Sequence, residues 1–374
     1  MAENGRIKTR AAILRGVGDY EVVDLELDHP KANEILVKYV GAGLCQSDEH
    51  VRHGELPSYF PMVMGHEGAG IVEEVGPNVT DYKVGDHVIA VAMASCGRCH
   101  FCATGNSHLC DVVGLMERGV YFDETYRAHL GDEEVGTFCQ IGTFAERMVI
   151  PVQAAIPIEK DLPLDVVCLV SCGVPTGFGS GAYAAEIKAG DTVVVYGCGG
   201  VGSFAVQGAA VAGAGNLIVV DPLPLKREYA LEVGATHAVE TYQEAEDLAR
   251  ELTRGVGADK AIITVRRVDQ GVVDAGFQVI RKGGTLCITG LAPVGEKNIH
   301  ISSMELTMWK KRVQGVCFGN TNQFRDTQHF CNMYRDGQLK LDEAITNRYS
   351  LDEVNKAYDD LAAGKNIRGV IVFD

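Results

Sequence analysis

Residues 192–202 read TVVVYGCGGVG, an apolar run followed at once by a glycine-rich turn. The run 192–196 predicts a buried strand, and the helical spacing of residues 201–212 predicts that a helix follows the turn. Such a turn lets a pyrophosphate approach the amide groups at the start of the helix, where the helix dipole favours negative charge. The sequence therefore predicts a dinucleotide-binding turn, formed by Gly197, Gly199, Gly200 and Gly202. The alternative is an ordinary glycine-rich turn between a strand and a helix.

A carboxylate follows the next apolar run in the sequence. Residues 217–220 predict a second strand, which ends at Asp221. A carboxylate at this point accepts hydrogen bonds from the adenine ribose hydroxyls and repels a 2′-phosphate. The pattern favours NAD over NADP, although Lys226 and Arg227 lie close by in the sequence.

Alternating strand and helix patterns continue beyond this motif. Further strands are predicted at 261–264, 285–289 and 313–318, and helices at 225–233, 242–253 and 270–280. Such alternation predicts an α/β fold with a doubly wound parallel sheet. Roughly the first 170 residues instead contain short Val/Ile runs broken by Gly, Pro and Asp, which predict an irregular β domain.

The composition excludes several classes of protein. The chain has 374 residues, 46% of them hydrophobic, and a net charge of −16. This length favours two domains, and the acidic balance argues against nucleic acid and anionic membranes as partners. The uncharged segment 192–220 is long enough to span a bilayer, but its glycines divide it into strand, turn and helix.

The twelve cysteines need an explanation of their own. Residues 1–10 carry several charges and no apolar core, so they do not resemble a signal peptide, and we expect a cytoplasmic protein with reduced thiols. Four thiols cluster within 15 residues, three of them at i+3 spacing, which is typical of a closed structural zinc site. The predicted ligands are Cys96, Cys99, Cys102 and Cys110.

Three other candidate ligands are scattered along the chain. Cys45 lies in GLCQSD, His66 in GHEG, and Cys172 in SCG, just before the predicted sheet. Taken alone, each is more often a buried thiol or a hydrogen-bonded core histidine than a ligand. Spacing cannot unite them, because residues this far apart meet only through the fold.

The sequence resembles the zinc-dependent medium-chain alcohol dehydrogenases. The likeness runs nearly end to end through GLCQSDEH, GHEGAG, the four-cysteine segment, SCGVPTGFGSG, GCGGVG and KNIRGVIVF, in that order. It implies a GroES-like β-barrel catalytic domain, residues 1–173 and 315–374, and a Rossmann domain, residues 174–314, with the catalytic cleft between them. It also implies a homodimer or homotetramer joined through the Rossmann sheets.

The resemblance implies a role for each scattered residue. Cys45, His66 and Cys172 would bind a catalytic Zn²⁺ and leave a fourth position for water or substrate oxygen. Asp48 would orient His66, Glu67 would lie behind the metal, and a proton relay would use Ser47 and His50. The cofactor NAD(H) would contact Val201 and Thr176 at the nicotinamide, Lys226 at the adenine ribose and Arg368 at the pyrophosphate. The implied reaction is oxidation of a primary or secondary alcohol to an aldehyde or ketone, or the reverse, with Zn²⁺ polarising the oxygen and NAD carrying the hydride.

Some positions depart from the best-known members. Gln46 stands where many have Arg or His on the pyrophosphate, so one charge-assisted contact would be missing. Ala92 and Met93 occupy the stretch where an aromatic side chain often narrows the pocket. We therefore expect a roomier site, whose kcat/KM rises from ethanol to longer or aromatic alcohols. Leu56 replaces the acidic residue of the glutathione-dependent formaldehyde branch, which disfavours that activity.

Two further stretches look like the bacterial nicotinoprotein branch, whose members keep NAD(H) bound and use an acceptor such as dimethyl-nitrosoaniline (NDMA). These stretches are the long segment 115–142 and the ending LDEVNKAYDDLAAGKNIRGVIVF. One alternative is a thiol-dependent formaldehyde dehydrogenase. Another is a catalytically silent NAD-binding or redox-sensing protein with structural zinc alone.

Overall fold

The computed structural model describes residues 5–112, 118–297 and 299–374 of the chain. The chain divides into two compact units, one made of Met1–Cys172 with Asn322–Asp374 and the other of Gly173–Thr321. The second boundary lies further along the chain than the expected 314/315, because residues near Gly319 pack against the helix at 173–179 within the second unit. Residues 115–117 of the segment that resembles the nicotinoprotein branch lie outside the described residues.

The first unit contains a closed barrel and a larger sheet. The barrel follows the order β1 (Ile7–Leu14), β2 (Glu21–Leu27), β7 (Ala128–Leu130), β8 (Glu133–Thr137) and β4 (Met62–Val63), and β4 pairs back onto β1. The sheet follows the order β10 (Ala155–Ile158), β6 (His87–Ala90), β5 (Gly68–Val75), β3 (Glu34–Gly43), β18 (Arg368–Val372) and β17 (Ile345–Tyr349), with β9 (Arg147–Pro151) also paired to β3. Short Val/Ile runs of the kind noted in the first 170 residues form β3, β5 and β6, which are neighbours in this sheet.

The helices of the first unit are mostly short. They are α1 (Gln46–Arg52), α2 (His100–Ala103), α3 (Leu164–Val167), α10 (Gln323–Arg335) and α11 (Val354–Ala362). Single 3₁₀ turns lie at Ser107–Leu109, Phe138–Gln140, Val152–Ala154, Cys168–Ser171, Asp342–Ala344 and Leu351–Glu353. The turn at Cys168–Ser171 and helix α1 matter most for function, because they carry residues next to Cys172 and Cys45.

The second unit is the predicted parallel sheet with its connecting helices. The six strands follow the order β13 (His237–Val239), β12 (Asn216–Val220), β11 (Thr192–Tyr196), β14 (Ala258–Ile263), β15 (Ile280–Ile288) and β16 (Arg312–Gly315), all paired in parallel. Its helices are α4 (Gly173–Gly179), extended by a π-helical turn at Ser180–Ala184, α5 (Gly202–Val211), α6 (Pro224–Glu232), α7 (Tyr242–Leu252), α8 (Gln270–Val279) and α9 (Ser303–Met308), with a 3₁₀ turn at Phe318–Asn320.

Local sequence explains where these elements begin and end. The β-branched residues of β11 favour a strand, and all are buried. One of them, Val194, lies in a core that also contains Ile218, Ile263 and Phe277. Helix α6 starts with Pro224 at its first turn, and α7 starts with a capping box between Thr241 and Glu244.

Several elements of the second unit differ from the sequence-based expectation, among them α4 and α9, which were not predicted. Strand β13 was not predicted, because it has three residues, half-buried at the sheet edge, and no apolar run. Strand β16 ends at Gly315 rather than at residue 318, where the chain enters the 3₁₀ turn. In the described part of the chain no single helix is long and apolar enough to cross a bilayer. One bent pair, Leu164–Ser171 with Gly173–Ala184, passes on length and composition, and most of its residues are buried in protein.

Candidate metal centres and nucleotide site

Four buried side chains of the first unit converge on one point. One ligand atom from each of Cys45, His66, Glu67 and Cys172 lies within 4.8 Å of all the others. Cys45 follows β3 at the start of α1, His66 and Glu67 precede β5, and Cys172 follows the 3₁₀ turn at 168–171. The fold therefore brings together the three scattered residues expected to bind catalytic zinc.

The orientation of His66 suits a metal ligand. Its Nδ1 atom lies 3.2 Å from the Asp48 carboxylate, which also accepts a hydrogen bond of 3.1 Å from the Gly65 amide. Its Nε2 atom is buried and has no hydrogen-bond partner among the described residues. The Phe138 ring packs edge-on against the imidazole, with 5.4 Å between ring centroids. Because a carboxylate holds one ring nitrogen, the other is left to bind an ion, and the site fits zinc.

The electrostatics of this cluster also favour a bound cation. The pKa of Cys45 is well below its usual value, first because the Cys172 thiol donates a hydrogen bond to it and then because His66 and Arg368 are near. Burial alone would lower the pKa of His66, but the charge of Asp48 and then the neighbouring sulfurs of Cys45 and Cys172 hold it well above its usual value. Negative charge is thus concentrated where a dication would replace the shared protons.

Glu67, a member of this cluster, forms a buried ion pair with Arg368. Arg368 Nη2 contacts Glu67 Oε2, and both side chains are almost fully buried. Burial raises the pKa of Glu67 to about 8, although the Arg368 charge opposes this shift. A Cβ on Gly43 would overlap both groups, which explains the glycine there. The resemblance placed Arg368 on the pyrophosphate; in the structure its contact is with Glu67, and the pyrophosphate role stays a prediction.

The two residues expected to relay protons lie on helix α1. The Cys45 thiol lies 3.7 Å from the Ser47 hydroxyl, which places that hydroxyl beside the cluster of candidate zinc ligands. His50 lies one helical turn further on, and its Nδ1 atom contacts Glu55 Oε2. Sequence reasoning missed Glu55. The sequence feature that could have indicated it is an acidic residue shortly after His50, in the turn after α1.

The four-cysteine segment forms the second cluster. The thiols of Cys96, Cys99, Cys102 and Cys110 all lie within 4.8 Å of one another. Backbone amides donate to the sulfurs: Cys96 N to Cys110 Sγ at 3.3 Å, Cys99 N to Cys96 Sγ at 3.3 Å, and Cys102 N to Cys99 Sγ at 3.5 Å. Amide hydrogen bonds from Cys102 and Asp111 lower the pKa of Cys99 to about 6. Four thiols with amide donors fit a closed zinc site.

The glycine motif forms the turn between β11 and α5. Gly197 has a φ of +91°, a conformation that side chains rarely adopt. A Cβ on Gly202 would collide with the Gly197 carbonyl oxygen. A Cβ on Gly199 would instead point into open space, with only Lys226 Nζ within reach at 3.8 Å. Gly200 and Val201 complete the turn, half-exposed, ahead of the first α5 residue. The turn therefore fits a pyrophosphate at the helix start, with a Lys226 ammonium nearby.

Asp221 lies immediately after β12, as expected for a ribose-binding acid. Its Oδ2 atom accepts a hydrogen bond from the Cys198 amide at 2.9 Å, and its Oδ1 atom accepts one from the Leu223 amide at 3.0 Å. Arg227 donates to the carbonyls of Asp221 and Pro222 at 2.8 and 2.9 Å, and it pairs with Glu240 at 3.4 Å. Since these bonds hold the Arg227 guanidinium, the site favours NAD over a 2′-phosphorylated nucleotide.

Thr176 lies on α4, in the same unit as the glycine turn. Its carbonyl accepts a hydrogen bond of 2.6 Å from the Ser180 hydroxyl. The neighbouring Gly177 approaches the Val201 carbonyl so closely that a Cβ would overlap it. Helix α4 therefore packs against the turn at Val201, and the role of Thr176 and Val201 at the nicotinamide stays a prediction.

The chain is similar to known proteins over almost its whole length. Residues 31–160 match the alcohol dehydrogenase GroES-like domain family, and residues 200–332 match the zinc-binding dehydrogenase family. The chain is 49% identical over 367 residues to the NDMA-dependent alcohol dehydrogenase of Amycolatopsis methanolica, covering 98% of this chain and 99% of that one. It is 38% identical to alcohol dehydrogenase B of Mycobacterium tuberculosis, covering 98% of each. Among solved structures, benzyl alcohol dehydrogenase of Acinetobacter calcoaceticus has a TM-score of 0.92 at 28% identity, covering 98% of this chain and 100% of that one.

Proposed function

The chain belongs to the zinc-dependent medium-chain alcohol dehydrogenases, and from this premise we propose that it keeps NAD(H) bound and passes electrons from an alcohol to an external acceptor. As a member of this family it is a zinc- and NAD-dependent oxidoreductase that oxidises alcohols. The likeness to an NDMA-dependent relative at 49% identity supports a retained nucleotide.

The residues of the first cluster divide the work of binding and orientation. When bound, zinc supplies Lewis-acid polarisation of the alcohol oxygen, and NAD⁺ supplies the hydride acceptor. Cys45, His66 and Cys172 would hold the metal, and Asp48 fixes the His66 ring so that Nε2 faces the cluster. Glu67, whose carboxylate also lies in this cluster, is paired with Arg368.

The chain also offers a route for the proton that the alcohol loses. The Ser47 hydroxyl lies next to the Cys45 thiol, where it would accept a hydrogen bond from the substrate oxygen and take its proton. His50, one turn along α1, would carry that proton away. In this assignment Ser47 contacts the substrate, and His50 receives the proton from Ser47.

Residues of the second unit would hold the nucleotide. The glycine turn and the start of α5 would receive the pyrophosphate, Asp221 the adenine ribose, and Lys226 the region beside them. Val201 and Thr176 would line the nicotinamide. The amide nitrogen of Gln46 is buried without a hydrogen-bond partner among the described residues, so it remains available as a donor.

Metal and nucleotide content test this proposal together. We expect the purified protein to contain two zinc ions per chain, as its two clusters suggest, and to release about one NAD(H) per chain on denaturation. It should oxidise alcohols with NDMA as acceptor and reduce added NAD⁺ poorly. A nucleotide-free preparation that turns over added NAD⁺ quickly would contradict nucleotide retention. A protein with one zinc and no alcohol oxidation would contradict the enzyme assignment.

The other candidate functions have less support. A thiol-dependent formaldehyde dehydrogenase would require a small-thiol adduct as substrate, and Leu56 occupies the position where that branch carries an acid. A silent NAD-binding or redox-sensing protein would not need the cluster that joins Cys45, His66 and Cys172. The six cysteines in the two clusters must stay reduced to bind metal, which supports a cytoplasmic location.

The open edge of the Rossmann sheet supports the expected homodimer. A homotetramer would add further copies of the chain to that dimer. Strand β16 is the last strand of the sheet and pairs only with β15 among the described strands. Helix α9, just before it, has no buried residue, and its Met304 and Met308 side chains are 62% and 74% exposed. A second copy of the chain would cover these apolar side chains and pair with the open edge.

A further inference from the structure

His50 and Glu55 form a pair that connects the interior of the first unit with solvent. His50 is 3% exposed, and its Nδ1 atom contacts the Oε2 atom of Glu55, whose side chain is 25% exposed. The turn after α1 holds the pair in place, because the amides of Glu55 and Leu56 donate to the His50 carbonyl at 2.7 and 3.1 Å. The carboxylate is therefore fixed against the buried ring while it remains partly in water.

This contact determines which nitrogen of His50 carries the proton. An ionised carboxylate only accepts hydrogen bonds, so Nδ1 must be the donor toward Glu55. The neutral ring then presents a lone pair at Nε2. In the part of the chain that the structure describes, no group donates a hydrogen bond to Nε2. The ring is thus prepared to receive a proton on the side away from Glu55.

The other charged groups on α1, and His53 just after it, have partners of their own. Arg52 pairs with Glu49 at 3.1 Å and contacts Asp19, and the His53 ring lies 3.2 Å from Glu49. Asp48 is directed to His66. Among the described charged residues, Glu55 is therefore the one in contact with His50.

We propose that Glu55 is the outlet of the proton path, the positioning residue that sets the His50 tautomer and delivers its proton to solvent. This inference rests on the function proposed above. When bound, NAD⁺ would supply the hydride acceptor. The hydroxyl proton of the alcohol, passed on by way of Ser47, would then form a bond to His50 Nε2. The Nδ1 proton then moves to the Glu55 carboxylate, which releases it to water. Water then takes the proton from Nε2 and supplies one to Nδ1. This exchange returns the ring to its starting tautomer and causes no further net change.

The substitution Glu55→Gln removes the proton acceptor but keeps the size of the side chain. The chain offers a matched control in Glu74→Gln, because Glu74 Oε2 lies 2.9 Å from the Nδ1 atom of His29 in another such pair. The rate to measure is reduction of bound NAD⁺ by benzyl alcohol in a single turnover, followed by nicotinamide absorbance. A series with added 2,6-lutidine tests for rescue, since this base matches imidazole in strength but its methyl groups hinder binding to zinc.

We expect Glu55→Gln to slow this step about tenfold, and added lutidine to restore the rate in proportion to its concentration. Wild type and Glu74→Gln should react at equal rates and not respond to lutidine. A wild-type rate for Glu55→Gln would overturn the inference. So would a slow variant that lutidine fails to rescue, because a merely structural role predicts loss without rescue.

Two further measurements distinguish a failure of the role proposed for Glu55 from a failure of the proposed function. Zinc and nucleotide content should be unchanged in Glu55→Gln; if that variant fails to fold, Glu55→Asp replaces it and should show a smaller loss with the same rescue. Wild-type protein that carries zinc and NAD⁺ but reduces no nucleotide with any alcohol would disprove the proposed function itself. Active wild type with an unaffected Glu55→Gln variant would disprove only the role of Glu55.

Discussion

Asp48 shows how much the metal site depends on a residue that does not bind the metal. Its carboxylate lies 3.2 Å from His66 Nδ1 and accepts the Gly65 amide at 3.1 Å, so it fixes both the ring and the loop that carries it. The sequence offered Asp48 only through resemblance, since nothing in its local spacing links it to His66. The same holds for Arg368, which lies far from Glu67 in sequence but contacts it in the fold.

Replacing Asp48 with Asn tests this orientation. We expect Asp48→Asn to lower zinc affinity or kcat/KM by about 10–100-fold, because a neutral amide no longer favours the ligand tautomer of His66. Zinc content by elemental analysis and steady-state kinetics measure the effect. Asp24→Asn, on the exposed side of β2, is the control and should behave as wild type. Full zinc content with unchanged kinetics in Asp48→Asn would refute the role assigned to this carboxylate.

At the scale of elements, the β11-turn-α5 unit has the strictest local requirements. Gly197 needs its positive φ, and Gly202 needs the absence of a Cβ, because the Gly197 carbonyl occupies that space. Both requirements arise within a few residues of one turn. The sequence could therefore predict this element with its function, whereas the short edge strand β13 left no comparable signal.

The substitution Gly202→Ala tests whether close packing in this turn supports nucleotide binding. We expect a loss of about 1–3 kcal/mol in the free energy of unfolding, because the new methyl group displaces backbone, together with loss of retained NAD(H). Gly255→Ala is the matched control: Gly255 has a φ of +87° but open space around its Cβ position. It should cost only about 1 kcal/mol of backbone strain and keep the nucleotide. Equal nucleotide retention by both variants would contradict the proposed site.

At the scale of the whole molecule, the two units divide the chemistry between them. Both thiol clusters belong to the first unit, and the glycine turn with Asp221 belongs to the second. The second unit also carries the open sheet edge at β16 and the exposed methionines of α9. The chain carries a net charge of −16, and two of its cations, Arg227 and Arg368, are held in contacts within the chain.

The oligomeric state gives the prediction at this scale. We expect wild type to form a dimer or tetramer and Met308→Glu to shift it to a smaller species, because a buried charge at the interface would lack a partner. Light scattering after size-exclusion chromatography measures the mass. Val211→Glu, which places the same charge at an exposed position of α5, is the control and should keep the wild-type mass. A monomeric wild type, or an unchanged mass for Met308→Glu, would contradict the assigned interface.

The sequence by itself determined the features whose conformation depends on only a few neighbouring residues. A glycine turn between a strand and a helix, an acid at the end of the next strand, and four cysteines within 15 residues each have one local conformation that explains them. Only the tertiary structure decided which distant residues meet. Cys45, His66 and Cys172 come from separate segments, and so do Glu67 and Arg368, so their distances depend on strand pairing that no local spacing encodes. The His50–Glu55 contact lies between these cases: the residues are near in sequence, but only the turn after α1 directs the carboxylate onto the ring.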